Sequence, residues 1–99
     1  MVNGKRSMDK MTWDEFQAWQ RWDEFPERAD NPPMTVDVMF FYEGHEYYIV
    51  LDYGRFHIYT EDWNEIYSHE NFLKLLTTPV KLFHDKSFSE SIVCIGFDT

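Results

Sequence analysis

The stretch MTVDVMFFYEGHEYYIVLDYGRFHIYTEDW, Met34 to Trp63, decides the fold. Its residues alternate as in a half-buried strand, yet both phases of the alternation are apolar, so each face of the sheet it forms needs a cover. Gly44-His45 lies between two apolar runs and suits a two-residue type II′ hairpin turn, with glycine where positive φ is needed; Tyr53-Gly54 suits a second turn of the same kind. That register sets Phe40 against Ile49 and Val38 against Leu51, then Leu51 against Phe56 and Ile49 against Ile58, a three-stranded antiparallel meander. One face then carries Val36, Val38, Phe40, Tyr42, Tyr47, Ile49, Leu51, Phe56 and Ile58, and reads as the core. The other carries Met39, Phe41, Tyr48, Val50, His57 and Tyr59 among Asp37, Glu43, Glu46, Asp52 and Arg55. A face that is apolar at its middle and acidic at its ends suits a packed helix or a partner.

The flanks supply the remaining elements. Thr12-Trp13-Asp14-Glu15 has the pattern of a capping box and predicts a helix from Thr12 to about Phe25, stopped by Pro26. Its Trp13, Phe16, Trp19 and Trp22 recur every third residue, a row that drifts around the helix with Trp19 near its centre. Docked on the second sheet face, this helix would bury most of its aromatics and answer the question of the cover, while leaving Trp13 or Trp22 facing away. Pro26 to Pro33 is a connector. Ser68 can cap a short amphipathic helix from about His69 to Thr77, with Phe72, Leu73, Leu75 and Leu76 directed at the first face. Ser87-Phe88-Ser89-Glu90 repeats the capping pattern and predicts a single helical turn before a last strand at Ile92-Val93-Cys94-Ile95. The expectation is therefore one α+β domain over residues 12–99, with a three- to four-stranded sheet, preceded by a mobile arm at 1–11 that lacks periodicity.

Ninety-nine residues, 19% of them aromatic, are enough for one packed core and too few for two. A single cysteine forms no internal disulfide, and no leader or long apolar run is present, so the expected compartment is the cytoplasm with no membrane contact. The net charge of −9 is concentrated: between Met11 and Glu70 fourteen acids face only Arg21, Arg28 and Arg55, a balance of −11. Such a field repels nucleic acid and attracts a basic protein surface, although acidity also serves solubility alone.

The chemistry-bearing residues do not assemble into a reactive motif. His45-Glu46, His69-Glu70 and His84-Asp85 are sequence neighbours, which diverge on strands and helices alike, and no H-x-x-x-H, HExxH or cysteine cluster occurs, so neither a metal nor another cofactor is expected. Ser68-His69 is badly placed for general-base activation, and Cys94 in an apolar strand reads as an inert thiol. Asp37, Glu43, Glu46 and Asp52 share one sheet face and could hold a cation or act as an acid pair, but solvated hairpin acids explain them equally. Glu43 and Glu46 would stand opposite each other beside the turn, an opposition that destabilises by up to about 1 kcal/mol.

Two resemblances add a setting. EFQAWQRWDEFPERAD, Glu15 to Asp30, resembles a segment of phage tail-assembly proteins in which an aromatic helix precedes a proline and an Arg-x-Asp. It departs from that pattern in the shorter spacing from Pro26 to Arg28 and in the Asn31-Pro32-Pro33 that leads into strands. FYEGHEYYIV, SHENFLKLL and HDKSFSESI, spread over Phe40 to Ile95, resemble the hairpin, helix and terminal turn of small uncharacterised bacterial and prophage proteins. The similarity implies a mobile-element setting and carries no catalytic residue. Together these features lead to a non-enzymatic, acidic binding protein that blocks a basic, nucleic-acid-handling host protein, in the manner of DNA mimics or anti-CRISPR proteins. Its expected contact residues are Glu43, Glu46, Asp62, Trp13, Trp22, Tyr48 and Tyr59. A tail-assembly accessory that self-associates through the tryptophan helix is the alternative, and a small hydrolase using the hairpin acids a distant third.

Overall fold

The computed structural model describes residues 9–98. Five antiparallel strands form one sheet: β1 Val38–Tyr42, β2 His45–Asp52, β3 Arg55–Thr60, β4 Glu65–His69 and β5 Gly96–Phe97, in the order β4-β3-β2-β1-β5. Three short α-helices accompany it: α1 Trp13–Trp19, α2 Phe72–Thr77 and α3 Phe88–Ser91. This is the expected α+β architecture, extended by two strands beyond the three-stranded meander.

The first turn differs from expectation in a way that preserves the faces. Glu43 and Gly44, at φ 50° and 83°, occupy both central positions, as a type I′ turn requires, and His45 already belongs to β2. Phe40 therefore pairs with Tyr47 and Val38 with Ile49, a slip of two residues from the expected register. Side chains alternate with period two, so a slip of two moves none to the other face. The Glu43–Glu46 opposition disappears, because Glu43 is in the turn and Glu46 stands opposite Phe41. Tyr53 and Gly54, at φ 49° and 76°, make the second turn likewise, and Leu51↔Phe56 and Ile49↔Ile58 pair as expected.

Helix α1 opens on the Thr12–Glu15 capping box, each residue's side chain accepting the other's backbone N–H at 3.1 and 2.8 Å. It ends at Trp19 rather than near Phe25. The reason is Gln20, fully buried, whose Oε1 accepts from Thr35 N and Val36 N at 2.8 and 3.1 Å while its Nε2 donates to Val36 O at 2.9 Å. Thr35 Oγ1 donates to the Gln20 carbonyl at 2.5 Å, Arg21 turns left-handed at φ 59°, and the chain continues in 3₁₀ turns at Trp22–Glu24 and Pro26–Arg28.

The break gathers the aromatic row around one core instead of letting it drift. Phe16 lies 5.5 Å from Phe88, 5.8 Å from Phe97 and 6.5 Å from Phe72 between ring centroids. Phe97 pairs with Phe40 in the sheet, and Phe72 stacks on Phe56 at 5.0 Å. All three helices thus share the first face, and the expectation that α1 covers the second is corrected. Most of the first-face residues are buried as expected; Val36 is half-buried and Leu51, at 52%, is exposed.

Two other boundaries moved. Ser68 and His69 pair with His57 and Phe56 in β4, and Asn71 caps α2, its Oδ1 accepting from Lys74 N at 3.0 Å. At the C-terminal end the Ser87–Glu90 capping box forms as expected, and the Ser87 N–H bonded to the Glu90 carboxylate holds that carboxyl below its ordinary value. The cap therefore stabilises at pH above the normal glutamate range and weakens as pH falls through the lowered value. Ile92–Cys94 is a 3₁₀ turn instead of the expected strand, because residues three apart eclipse in that helix and turn Ile92 and Ile95 inward together. The strand begins at Gly96, and Asp9 exchanges backbone hydrogen bonds with Phe97 at 3.0 and 2.8 Å. Asp9 and Met11, expected in a mobile arm, belong to the fold, Met11 packing on the core; residues 1–8 of that arm lie outside the described residues.

Candidate protein-binding face

With the helices on one side, the second face of the sheet is crossed by no helix among the described residues. Met39, Phe41, Tyr48, Val50, His57 and Tyr59 are half-buried there. The cover that does reach it comes from the β3–β4 loop. Trp63, left-handed at φ 63°, folds back so that its indole stacks on Tyr48 at 4.9 Å and 14° and meets Tyr59 edge-on at 5.7 Å. A left-handed backbone at a bulky residue costs about 1–3 kcal/mol and persists only when its surroundings enforce it. The loop supplies that enforcement: Trp63 N donates to Thr60 O at 2.9 Å, Thr60 N to Asn64 O at 3.0 Å, and Thr60 Oγ1 accepts from Asp62 N and Asn64 N at 3.2 and 3.1 Å.

Carboxylates border the aromatics. The Tyr48 hydroxyl bonds the Glu46 carboxylate, and Glu65, opposite Tyr59 beside a bulge in the β3–β4 ladder, lies 2.5 Å from His57 Nδ1. A hollow of ≈ 570 Å³ beside Trp63 is lined by Met34, Asp37, Tyr48, Val50, Leu51 and their neighbours. The face can therefore offer flat aromatic contact and negative charge together.

Of the expected contact residues, Glu46, Tyr48, Tyr59 and Asp62 come together on or beside this face. Glu43 is held in the β1–β2 turn, 2.8 Å from His84 Nε2. Trp13 and Trp22 sit on the opposite side of the sheet, half-buried in the core cluster; Trp13 stacks on Phe16 at 5.5 Å, and Trp22 Nε1 donates to Pro33 O at 2.9 Å. Trp63, the most exposed tryptophan of the face at 61%, was not foreseen. A signal for it exists: a tryptophan between Asp62 and Asn64, in the short loop after β3, occupies a turn position where burial gives no reason for an indole.

The histidines find acids distant in sequence, His45 with Glu61 at 3.3 Å besides the two pairs above, while His69 Nδ1 accepts from Asn71 N at 3.0 Å. Ser68 Oγ accepts from Arg55. Among the described residues no group of three or more His, Cys, Asp and Glu could hold a metal ion, and no helix is long and apolar enough to cross a membrane. Cys94 corrects the expectation of an inert, buried thiol: it is exposed, beside Val93 at 67% exposure. We expect it to alkylate in the native protein nearly as fast as in the denatured chain. Strong native protection in a thiol-labelling time course would contradict that placement.

No protein-family model matches the chain, and no curated protein or solved structure matches it either.

Proposed function

We propose that this protein is an acidic binding protein that uses the second face of its sheet to engage a basic surface of another protein. The observation that carries this reading is the coincidence on one face of half-buried aromatics, the stacked Trp63 and bordering carboxylates, all within the segment whose charge balance is −11. A surface of that charge competes for patches that otherwise hold nucleic-acid phosphates, so the partner we assign is a nucleic-acid-handling protein, blocked as a DNA mimic would block it. The role is one of binding rather than catalysis.

The test uses the full chain, a basic partner captured on it and then purified, and association rates at low and moderate salt. Wild type is expected to associate several-fold more slowly as salt rises, whereas Glu46→Lys/Asp62→Lys, folded as judged by its melting curve, should bind slowly and with little salt dependence. Nucleic acid should displace the protein from its partner. Equal, salt-insensitive rates for both proteins, with self-association in sedimentation, would replace this reading by that of an assembly accessory.

A further inference from the structure

We propose that Trp63 and the hollow beside it receive an arginine side chain of the basic partner. This rests on the binding-face reading and narrows it to one kind of residue. The indole is held by its contacts: one of its faces stacks on Tyr48, Tyr59 meets it edge-on, the loop behind it is closed by the Thr60 hydrogen bonds, and the residue stays 61% exposed. An exposed indole held in this way is the best ring for a cation, and a planar guanidinium stacks on it where an ammonium remains hydrated. The hollow extends the match, because Met39 and Val50, whose side chains belong to this face, offer apolar walls to a three-carbon stem while Asp37 lines the same space. A carboxylate there takes two parallel N–H bonds from a guanidinium and only one from lysine. An apolar occupant would leave that carboxylate desolvated without compensation, so charge selects against it.

The experiment titrates the full chain with two peptides of equal length and charge, one carrying arginines and the other lysines in a Gly/Ser background, read by peptide fluorescence anisotropy. Wild type should bind the arginine peptide about tenfold more tightly, the scale of a cation–π contact with a bidentate pair. Trp63→Ala should abolish the preference and Asp37→Asn should reduce it, each with the wild-type melting temperature. Equal affinity for both peptides, unchanged by either variant, would overturn the arginine assignment while a steep salt dependence would leave the binding face standing. Failure of both peptides to bind at low salt would overturn the two together. A wild-type dimer made monomeric by Trp63→Ala would also overturn the assignment, naming a second copy as the occupant.

Discussion

Phe16→Ala is expected to lower the stability of this domain by about 3–5 kcal/mol, the range for truncating a buried phenylalanine. Phe16 is fully buried and meets the rings of Trp13, Trp19, Trp22, Phe72, Phe88 and Phe97. It thereby joins α1 to α2, α3 and the sheet, and the cavity left by its removal cannot close without moving several elements. Domains of this size are stable by only about 5–15 kcal/mol, so the variant should melt more than ten degrees below wild type. Trp19, centre of the row in the sequence, contacts Phe16 and Phe97 but is half-buried, and its truncation should do less. A Phe16→Ala melting temperature equal to wild type would mean that α1 is not docked as described.

Gln20→Leu should be almost as damaging for a different reason. Leucine fits the volume, but it strands the N–H groups of Thr35 and Val36 and the Val36 carbonyl, all bonded now to one amide side chain. Each unsatisfied buried group costs about 1–3 kcal/mol, and partial solvation of this segment places the sum near 2–4 kcal/mol. Urea unfolding should show a lower midpoint with an unchanged slope, the sign of a stability change without a change in the unfolded chain. A midpoint within experimental scatter of wild type would show that water replaces the glutamine at no loss.

What could be read in advance divides along physical lines. Sheet faces were legible because period-two alternation survives an error of register, as the two-residue slip at Glu43-Gly44 illustrates. Capping boxes at Thr12 and Ser87 were legible because each is a contact over three residues. The end of α1 was not, since Gln20 finds its partners fifteen and sixteen residues away. Strand β4 escaped notice for the same reason, its pairing with β3 outweighing the local helix signal at Ser68. The side of the sheet taken by α1 depended on three phenylalanines at positions 72, 88 and 97, and the Trp63 stack on a tyrosine fifteen residues earlier.

The one-sided placement of the helices separates two kinds of environment along each strand. In β2, Tyr47 and Ile49 are buried in the core, whereas Glu46, Tyr48 and Val50 lie half-buried on the opposite surface. Core packing therefore constrains every second residue of a strand and places no such demand on its neighbours. The same arithmetic makes the domain a scaffold for directed evolution: a library confined to even positions from Glu46 to Val50 and odd positions from His57 to Tyr59 would vary the chemistry of one surface while leaving the buried side chains of the same strands untouched.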